Sequence, residues 1–262
     1  MRKMLRWLVL MILALTLLPQ TAKAQDVVID KDKGVVIGFD ETFAPFGFKN
    51  DKGEYVGFDL DLAKEILGRM NVDYKFQPID WSMKETELNG GSIDMIWNGY
   101  SITPERKEVV IFSDPYIENH QVIVVKEDSD IKNKADLAGK TIATQEQSAS
   151  LEAIMKDKEF VASLAEDPVT YATFVEVFSD LDNGRVDAIV VDETLASYFL
   201  EQNKTASDYR FLDDNFGQED YGVAFRKSDT EFQKEFNKVL KEIEEDGTLE
   251  KIKSKWFASV EE

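Results

Sequence analysis

Residues 184–192 read GRVDAIVVD, and this stretch decides the predicted fold class. Residues 186–191 are the most apolar run after position 24, with the β-branched composition of a strand buried on both faces. Helical patterns flank it at 174–183, which Gly184 ends, and at 193–202. Such strands between helices are typical of α/β proteins, so we predict a central parallel strand at 186–191.

Short β-rich runs alternate with longer helical patterns on both sides of this strand. The other predicted strands are 35–39, 72–76, 93–97, 121–126, 140–144 and 221–226. One further helix is predicted directly after Asp59, which would cap it. The remaining predicted helices are at 81–88, 149–156, 229–246 and 248–257. This alternation indicates α/β architecture throughout.

The predicted elements form two β/α units of about 100 residues each, with a final segment left over. One lobe is therefore expected to be discontinuous. We predict a first lobe at 25–118 and 219–262, and a second lobe at 119–218. In such a layout the cleft between the lobes is the natural ligand site.

The first 24 residues have the pattern of a secretory signal peptide. Arg2, Lys3 and Arg6 precede an apolar run at 7–18, and Ala22-Lys23-Ala24 places small residues before a cut after Ala24. The run is too short to span a bilayer, which takes about 20 apolar residues. The alternative is an N-terminal anchor that is retained.

The chain is strongly acidic. Its 262 residues include 31 Lys and Arg against 51 Asp and Glu. Four of the basic residues lie in the predicted signal peptide, so the remainder carries 27 basic and 51 acidic residues, a net charge of −24. Such a surface repels phosphate backbones and anionic headgroups, and we expect no nucleic-acid or membrane-surface partner.

Cysteine is absent and histidine occurs once, as His120. Most zinc sites need several cysteine or histidine ligands, and a single histidine leaves little for a Ser-His-Asp or Cys-His catalytic arrangement. We therefore expect no metal, no cofactor and no catalytic residue. A structural role is expected for His120. Without a cysteine to carry a lipid anchor, retention requires an outer barrier, which favours the periplasm, with free secretion as the alternative.

The strongest local signal of a site is at 97–107, WNGYSITPERK. A strand ends at Gly99, and Thr103 with a proline after it begins a helix. Hydroxyl groups of Ser101 and Thr103 then lie near Arg106, whose guanidinium can hold a carboxylate through two hydrogen bonds. The alternative is an ordinary strand-turn-helix with a surface arginine.

The second unit has a comparable segment at 144–150, TQEQSAS, where Gln145, Ser148 and Ala149 follow a strand. These residues either face the first site or only cap a helix. Asp192, directly after the apolar strand, either meets a cation at the edge of the sheet or caps the next helix.

Asp40 follows the first strand and precedes aromatic residues that include Phe43. An acid beside aromatic rings can hold a polar or cationic side chain. Phe43 and Trp81 are alternatively core residues, and Trp97, on a predicted strand, is expected to be core.

Several segments together resemble one known family. They are 39–46 (FDETFAPF), 57–63 (GFDLDLA), 101–107 (SITPERK), 112–116 (FSDPY), 184–188 (GRVDA), Asp192, 221–225 (YGVAF), 247–249 (GTL) and 255–257 (KWF). In this order they resemble the polar amino-acid solute-binding proteins of ABC importers, over nearly all of 34–257. The resemblance implies a type II clamshell of two lobes, joined by two hinge strands, that closes on one free amino acid.

The resemblance also implies roles for residues of the first lobe and the second. Arg106 would bind the α-carboxylate of the amino acid with help from Ser101 and Thr103. Gly99 and Asp192 would hold the α-ammonium.

The ligand side chain would meet Asp40 between the rings of Phe43 and Trp81. The second lobe would contribute Gln145, Ser148 and Ala149. The partners implied are a free amino acid and the membrane subunits of an ABC importer, and we expect a monomer.

One departure from the family concerns Gln147, where the family usually has glycine before Ser or Thr. A residue other than glycine can alter that backbone. Asp40 beside Glu41 favours arginine, lysine or ornithine, with glutamine or cystine as alternatives. The alternative function is a periplasmic enzyme on the same fold, such as a cyclohexadienyl dehydratase, for which Glu146 is the one candidate general acid.

Overall fold

The computed structural model describes residues 28–257, and the predicted signal peptide lies outside this range. The strands, in chain order, are β1 (Val35–Phe39), β2 (Thr42–Phe43), β3 (Gly47–Lys49), β4 (Tyr55–Val56), β5 (Tyr74–Pro78), β6 (Met95–Ile96), β7 (Ile111–Phe112), β8 (Ile117–Lys126), β9 (Ile142–Gln145), β10 (Val169–Tyr171), β11 (Ala188–Asp192), β12 (Tyr209–Tyr221) and β13 (Ala224–Phe225).

The helices are α1 (Phe58–Arg69), α2 (Lys84–Gly90), α3 (Pro104–Lys107), α4 (Ala149–Lys156), α5 (Lys158–Ser163), α6 (Phe174–Asp182), α7 (Glu193–Gln202), α8 (Thr230–Glu245) and α9 (Thr248–Phe257). Short 3₁₀ turns occur at Lys31–Lys33, Trp81–Met83, Lys134–Leu137 and Ala206–Asp208.

The strands form two larger sheets and one small one within the described range. The first has the order β5-β1-β6-β13-β7, the second has the order β10-β9-β11-β8-β12, and β2, β3 and β4 form the third. Helices α1, α8 and α9 pack together beside the first sheet, where the rings of Trp97 and Phe236 lie 5.2 Å apart. Trp97 is fully buried, so its predicted place in the core is confirmed.

Strand β11 lies at the centre of the second sheet, as its apolar sequence predicts. All five of its residues are buried, because α4, α6 and α7 pack against it. It runs parallel to β9 but antiparallel to β8, so the prediction of a parallel strand is correct on one side only.

Two long strands connect the sheets. β8 and β12 pair antiparallel within the second sheet, and their register ends at Ile117 opposite Tyr221. The chain enters the second sheet along β8 and returns to the first after β12. Most of β12 is polar because one side of this edge strand is exposed, and the sequence pattern therefore did not reveal it.

The prediction that Asp59 caps the first long helix is wrong. Gly57 occupies the N-cap position of α1, and Asp59 lies in the first turn, fully buried. Its carboxylate accepts a hydrogen bond from the backbone N–H of Gly99 at 2.6 Å. Burial raises the pKa of Asp59 to about 7, against the opposing effect of that hydrogen bond.

Candidate functional site

A small cavity lies where the two larger sheets face each other. Its lining residues are Phe43, Trp81, Gly99, Ser101, Arg106, Gln145, Ser148, Ala149, Phe174 and Asp192. Its volume is about 10 Å³, roughly what one water molecule requires. The structure thus brings together most of the residues that the sequence nominated, from segments that lie far apart in the chain.

Two nominated residues do not line this cavity, and one lining residue was missed. Asp40 lies behind Gln145, and Thr103 is occupied in capping α3. Phe174 was missed because it begins α6 as an ordinary apolar helix residue. The centre of its ring lies 6.0 Å from that of Phe43, a residue that is distant in the chain, and both rings line the cavity.

Arg106 lies on α3, which begins as predicted with Thr103 as cap and Pro104 at its first position. The Thr103 hydroxyl accepts from the Arg106 backbone N–H at 3.2 Å. The guanidinium is buried, donates to the Ser101 carbonyl oxygen at 3.1 Å and lies 4.3 Å from the centre of the Tyr100 ring. The alternative of a surface arginine is therefore wrong.

Gly99 forms one wall of the cavity and has a left-handed backbone, with φ of +57°. A Cβ atom there would lie 2.7 Å from a ring carbon of Phe43 and 3.0 Å from one of Tyr221. The Gly99 N–H already donates a hydrogen bond to Asp59. The carbonyl oxygen of Gly99 is therefore the polar backbone group that this residue can offer to a ligand.

Asp192 lies at the end of β11 with its side chain buried. In the described structure it makes no capping bond to α7. One carboxylate oxygen accepts from the Asn119 amide at 2.9 Å, from the Gln121 amide at 2.8 Å and from the Tyr221 hydroxyl. Burial raises the pKa of Asp192 to about 7, and repulsion from Glu219 adds to the effect.

Asp40 and Gln145 meet across the two lobes. The Gln145 amide donates to the Asp40 carboxylate at 2.8 Å, and Thr42 donates to the other oxygen through its N–H and hydroxyl at 2.8 and 2.6 Å. Burial raises the pKa of Asp40, and these hydrogen bonds oppose that shift.

The loop before α4 has an unusual backbone at Gln147, with φ of +52°. This is the left-handed region that glycine adopts most readily, so the residue that departs from the family pattern keeps a glycine-like conformation. Ser148 caps α4 through a hydrogen bond from the Leu151 N–H at 3.1 Å. The predicted capping role and a place on the cavity wall therefore occur together.

Lys84 also belongs to this region, although no motif in the sequence marks it. Its side chain is almost completely buried, and burial lowers the pKa of its ammonium to about 8. The ammonium donates to the carbonyl oxygens of Trp81 at 3.2 Å and of Gln147 at 2.9 Å. Both contacts are to backbone atoms, so no side-chain motif marks them in the sequence.

Glu146 and His120 have no place in the described cavity wall. The backbone N–H of Glu146 pairs with Tyr171 beside the loop, and the ring of His120 lies 3.1 Å from Glu193. Across residues 28–257, no group of three or more His, Asp and Glu side chains is arranged to hold a metal ion. The same range contains no helix with the length and apolar character needed to cross a membrane.

The fold and the cavity define a class of binding protein with two lobes around one central site. The chain matches the family of bacterial extracellular solute-binding proteins, family 3, over residues 35–259, and it belongs to that family. The predicted α/β clamshell of type II with two hinge strands is thereby confirmed.

Individual relatives agree with this assignment. The arginine-binding extracellular protein ArtP of Bacillus subtilis is 31% identical over 256 residues, covering 97% of this chain and 98% of that protein. The lysine/arginine/ornithine-binding periplasmic protein of Escherichia coli is 34% identical over 252 residues, covering 94% and 96%. A substrate-binding protein of an ABC uptake transporter from Streptococcus pneumoniae, solved with bound histidine, has a TM-score of 0.85 and 39% identity, covering 87% and 93%.

Proposed function

We propose that this protein binds one free polar L-amino acid between its lobes and delivers it to the membrane subunits of an ABC importer. Arginine, lysine or ornithine is the favoured ligand, with glutamine or cystine as alternatives. The observation that carries the proposal is that Arg106 and Asp192 line the same small cavity. A fixed cation and a carboxylate facing one space suit the two charges of a free amino acid.

The proposed roles of the wall residues rest on the charge and polarity of the groups that line the cavity. Arg106 binds the α-carboxylate beside Ser101, while Asp192 and the carbonyl oxygen of Gly99 hold the α-ammonium. Thr103 acts on the ligand only indirectly, because it does not line the cavity and its hydroxyl caps the helix that carries Arg106.

The ligand side chain lies against the rings of Phe43 and Trp81, both of which line the cavity. It reaches Asp40 by displacing the amide of Gln145, which now covers that carboxylate. A buried carboxylate next to aromatic rings suits a guanidinium or ammonium group. Two relatives are named as an arginine-binding protein and a lysine/arginine/ornithine-binding protein, which supports a cationic amino acid as the ligand.

The lobes must separate before an amino acid can enter. The cavity of about 10 Å³ holds roughly one water molecule, far less than an amino acid needs. We propose that the first lobe comprises residues 25–118 and 219–262 and that the second comprises residues 119–218. The hinge is proposed to lie where β8 and β12 pass between the sheets. Hinge closure around a ligand is a common transition in two-lobed proteins.

We further propose that residues 1–24 direct export and are removed after Ala24, and that the mature monomer works in the periplasm. The extracellular family supports export.

The enzyme alternative requires a general acid in the cleft, and Glu146 is not among the described lining residues. The ligand is therefore expected to leave unchanged.

A calorimetric titration of ligand-stripped residues 25–262 tests this proposal. The panel contains the twenty amino acids, ornithine, citrulline, cystine and prephenate. We expect saturable binding of one or a few amino acids and no consumption of prephenate. Binding or loss of prephenate without amino-acid binding would instead establish the enzyme.

Arg106→Ala should abolish binding of every amino acid, since the α-carboxylate is common to all of them. Lys107→Ala is the matched control, because Lys107 is the next residue of α3 and is exposed. Retained affinity in Arg106→Ala would contradict the assignment of Arg106.

A further inference from the structure

Helices α3 and α4 face each other across the cleft and are joined by two ion pairs. Arg106 on α3 contacts the Glu152 carboxylate on α4 at 2.9 Å, and Lys156 on α4 contacts Glu105 on α3 at 2.9 Å. The Arg106 and Glu152 side chains are 4% and 29% exposed, whereas those of Lys156 and Glu105 are 53% and 58% exposed. Only the first pair involves a residue of the cavity wall.

All three nitrogens of the Arg106 guanidinium have partners in this arrangement. One terminal nitrogen donates to the Ser101 carbonyl oxygen at 3.1 Å. Nε donates to Glu152 at 2.9 Å, and the other terminal nitrogen lies 2.9 Å from the same carboxylate oxygen. The edge formed by Nε and one terminal nitrogen is thus occupied by a carboxylate oxygen of the second lobe, while the two terminal nitrogens face the carbonyl oxygens of Ser101 and Gln147.

The contact leaves Glu152 poorly satisfied. One oxygen, Oε1, makes both contacts with Arg106, while Oε2 is buried and has no hydrogen-bond partner within residues 28–257. A buried carboxylate oxygen without a partner is costly. Partial exposure of the side chain gives Glu152 a route to water when another carboxylate takes its place.

Charge balance around Arg106 also disfavours two carboxylates at once. Lys84 and Glu85 lie 3.4 Å apart beside Arg106 and Glu152, and the four side chains together are neutral. An additional carboxylate with Glu152 still in position would leave a net negative charge in a largely buried space, which is unfavourable.

We infer that Glu152 is an affinity-determining residue whose carboxylate occupies the position on Arg106 that the α-carboxylate of the ligand takes. It competes with every amino acid for Arg106, and it holds the two lobes together in the absence of ligand. The competition rests on the proposed function, whereas the contact between the lobes does not.

Glu152→Gln and Glu152→Ala test the competition, with Lys156→Gln as the matched control. Lys156→Gln removes the other ion pair between the same helices without freeing Arg106. Both Glu152 variants should bind L-arginine, L-lysine, L-histidine and L-glutamine about fivefold more tightly than the unaltered chain, as expected for loss of a competing pair worth about 1 kcal/mol. Lys156→Gln should show no gain.

Equal or weaker binding by the Glu152 variants would overturn the inference, because it would mean that Glu152 positions Arg106 for the ligand. A gain of the same size in Lys156→Gln would also overturn it, since general loosening of the closed lobes would then explain the effect.

A second measurement needs no ligand. The chain has no cysteine, so Lys52→Cys in the first lobe and Asp167→Cys in the second, both exposed, can carry a pair of spin labels. The distance distribution of the ligand-free protein should shift to longer values in Glu152→Gln. An unchanged distribution would overturn the role of Glu152 in holding the lobes together.

The two measurements separate the inference from the proposed function. Absence of amino-acid binding by the unaltered protein would reject the proposed function and, with it, the competition. Binding by the unaltered protein without a gain in the Glu152 variants would leave the proposed function intact and reject the inference alone.

Discussion

The ammonium of Lys84 in the first lobe donates to the carbonyl oxygen of Gln147 in the second at 2.9 Å. The left-handed backbone of Gln147 presents that oxygen to a second cation as well, since a terminal nitrogen of Arg106 lies 3.5 Å away. The loop that differs from the family pattern therefore contributes a backbone acceptor to the closed arrangement.

Lys84→Met should weaken binding of all amino acids by a similar factor of about ten or more, because one hydrogen bond from a charged donor stabilises the closed lobes. The ranking of ligands should stay the same, since Lys84 contacts backbone oxygens of the protein. Calorimetric titration with several amino acids measures both effects. Lys75→Met, at an exposed position of β5, is the control, and a changed ranking would show that Lys84 contacts the ligand.

Affinity should rise with pH up to neutrality and then level off. Burial and Glu219 raise the pKa of Asp192 to about 7, so this carboxyl group is largely protonated at pH 5. An α-ammonium favours the ionised form, and binding therefore releases a proton below pH 7. The dissociation constant should fall by up to about tenfold per pH unit between pH 5 and 7.

Titrations at several pH values measure how the dissociation constant changes with pH. The residues that donate to Asp192, namely Asn119, Gln121 and Tyr221, stay unaltered in these measurements. Asp192→Asn should remove the slope and weaken binding at pH 7.5 by about 30-fold. Asp40→Asn is the control, because its carboxyl group is also buried and should leave the slope for L-glutamine unchanged. A flat profile from pH 5 to 8 would argue against Asp192 as the ammonium partner.

Asp40→Asn should reduce affinity for L-arginine and L-lysine at least about tenfold more than for L-glutamine, because only the first two bring a cationic side chain to that carboxylate. Competition binding at pH 7.5 gives the ratio. Equal losses for all three ligands would indicate that Asp40 acts through Thr42 and Gln145 on the local structure.

Gly99→Ala should destabilise the protein by about 1–3 kcal/mol, because alanine is strained in the left-handed region. Its Cβ would also meet the Phe43 ring at 2.7 Å, so binding should weaken. Gly90→Ala is the matched control, since nothing lies within 4 Å of a Cβ there and the residue is helical. Gly90→Ala should be neutral or stabilising by about 0.5–1 kcal/mol in chemical unfolding. Equal stability of both variants would contradict this account.

Much of the fold could be predicted where local sequence and packing agree. The predicted helices at 149–156, 193–202 and 248–257 coincide with α4, α7 and α9, and the first strand coincides with β1. β12 was missed because it pairs along one side and exposes polar residues on the other. Its course depends on pairing with β8, which no local pattern within 209–221 encodes.

The site divides in the same way. The places of Arg106, Gly99 and Asp192 on the cavity wall were predictable because each lies at the end of a strand or the start of a helix, within a recognisable motif. Lys84, Glu152 and Phe174 were not, because their significance comes from contacts with the opposite lobe. Those contacts join positions that are distant in the chain, so no local sequence pattern encodes them.

The amides of Asn119 and Gln121 on β8 each donate to both Asp192 and Glu219, so the proposed partner of the ligand ammonium and the crossing strands share one hydrogen-bond network. In the proposed function, the ligand ammonium would therefore act beside the strands about which the lobes are proposed to turn, where it has little leverage on the angle between them. Substitution of Asn119 or Gln121 should therefore alter both the charge chemistry of binding and the angle to which the lobes close. The exposed pair of Glu105 and Lys156 lies outside this network and joins α3 to α4 directly, so its loss should leave the charge chemistry of binding unchanged.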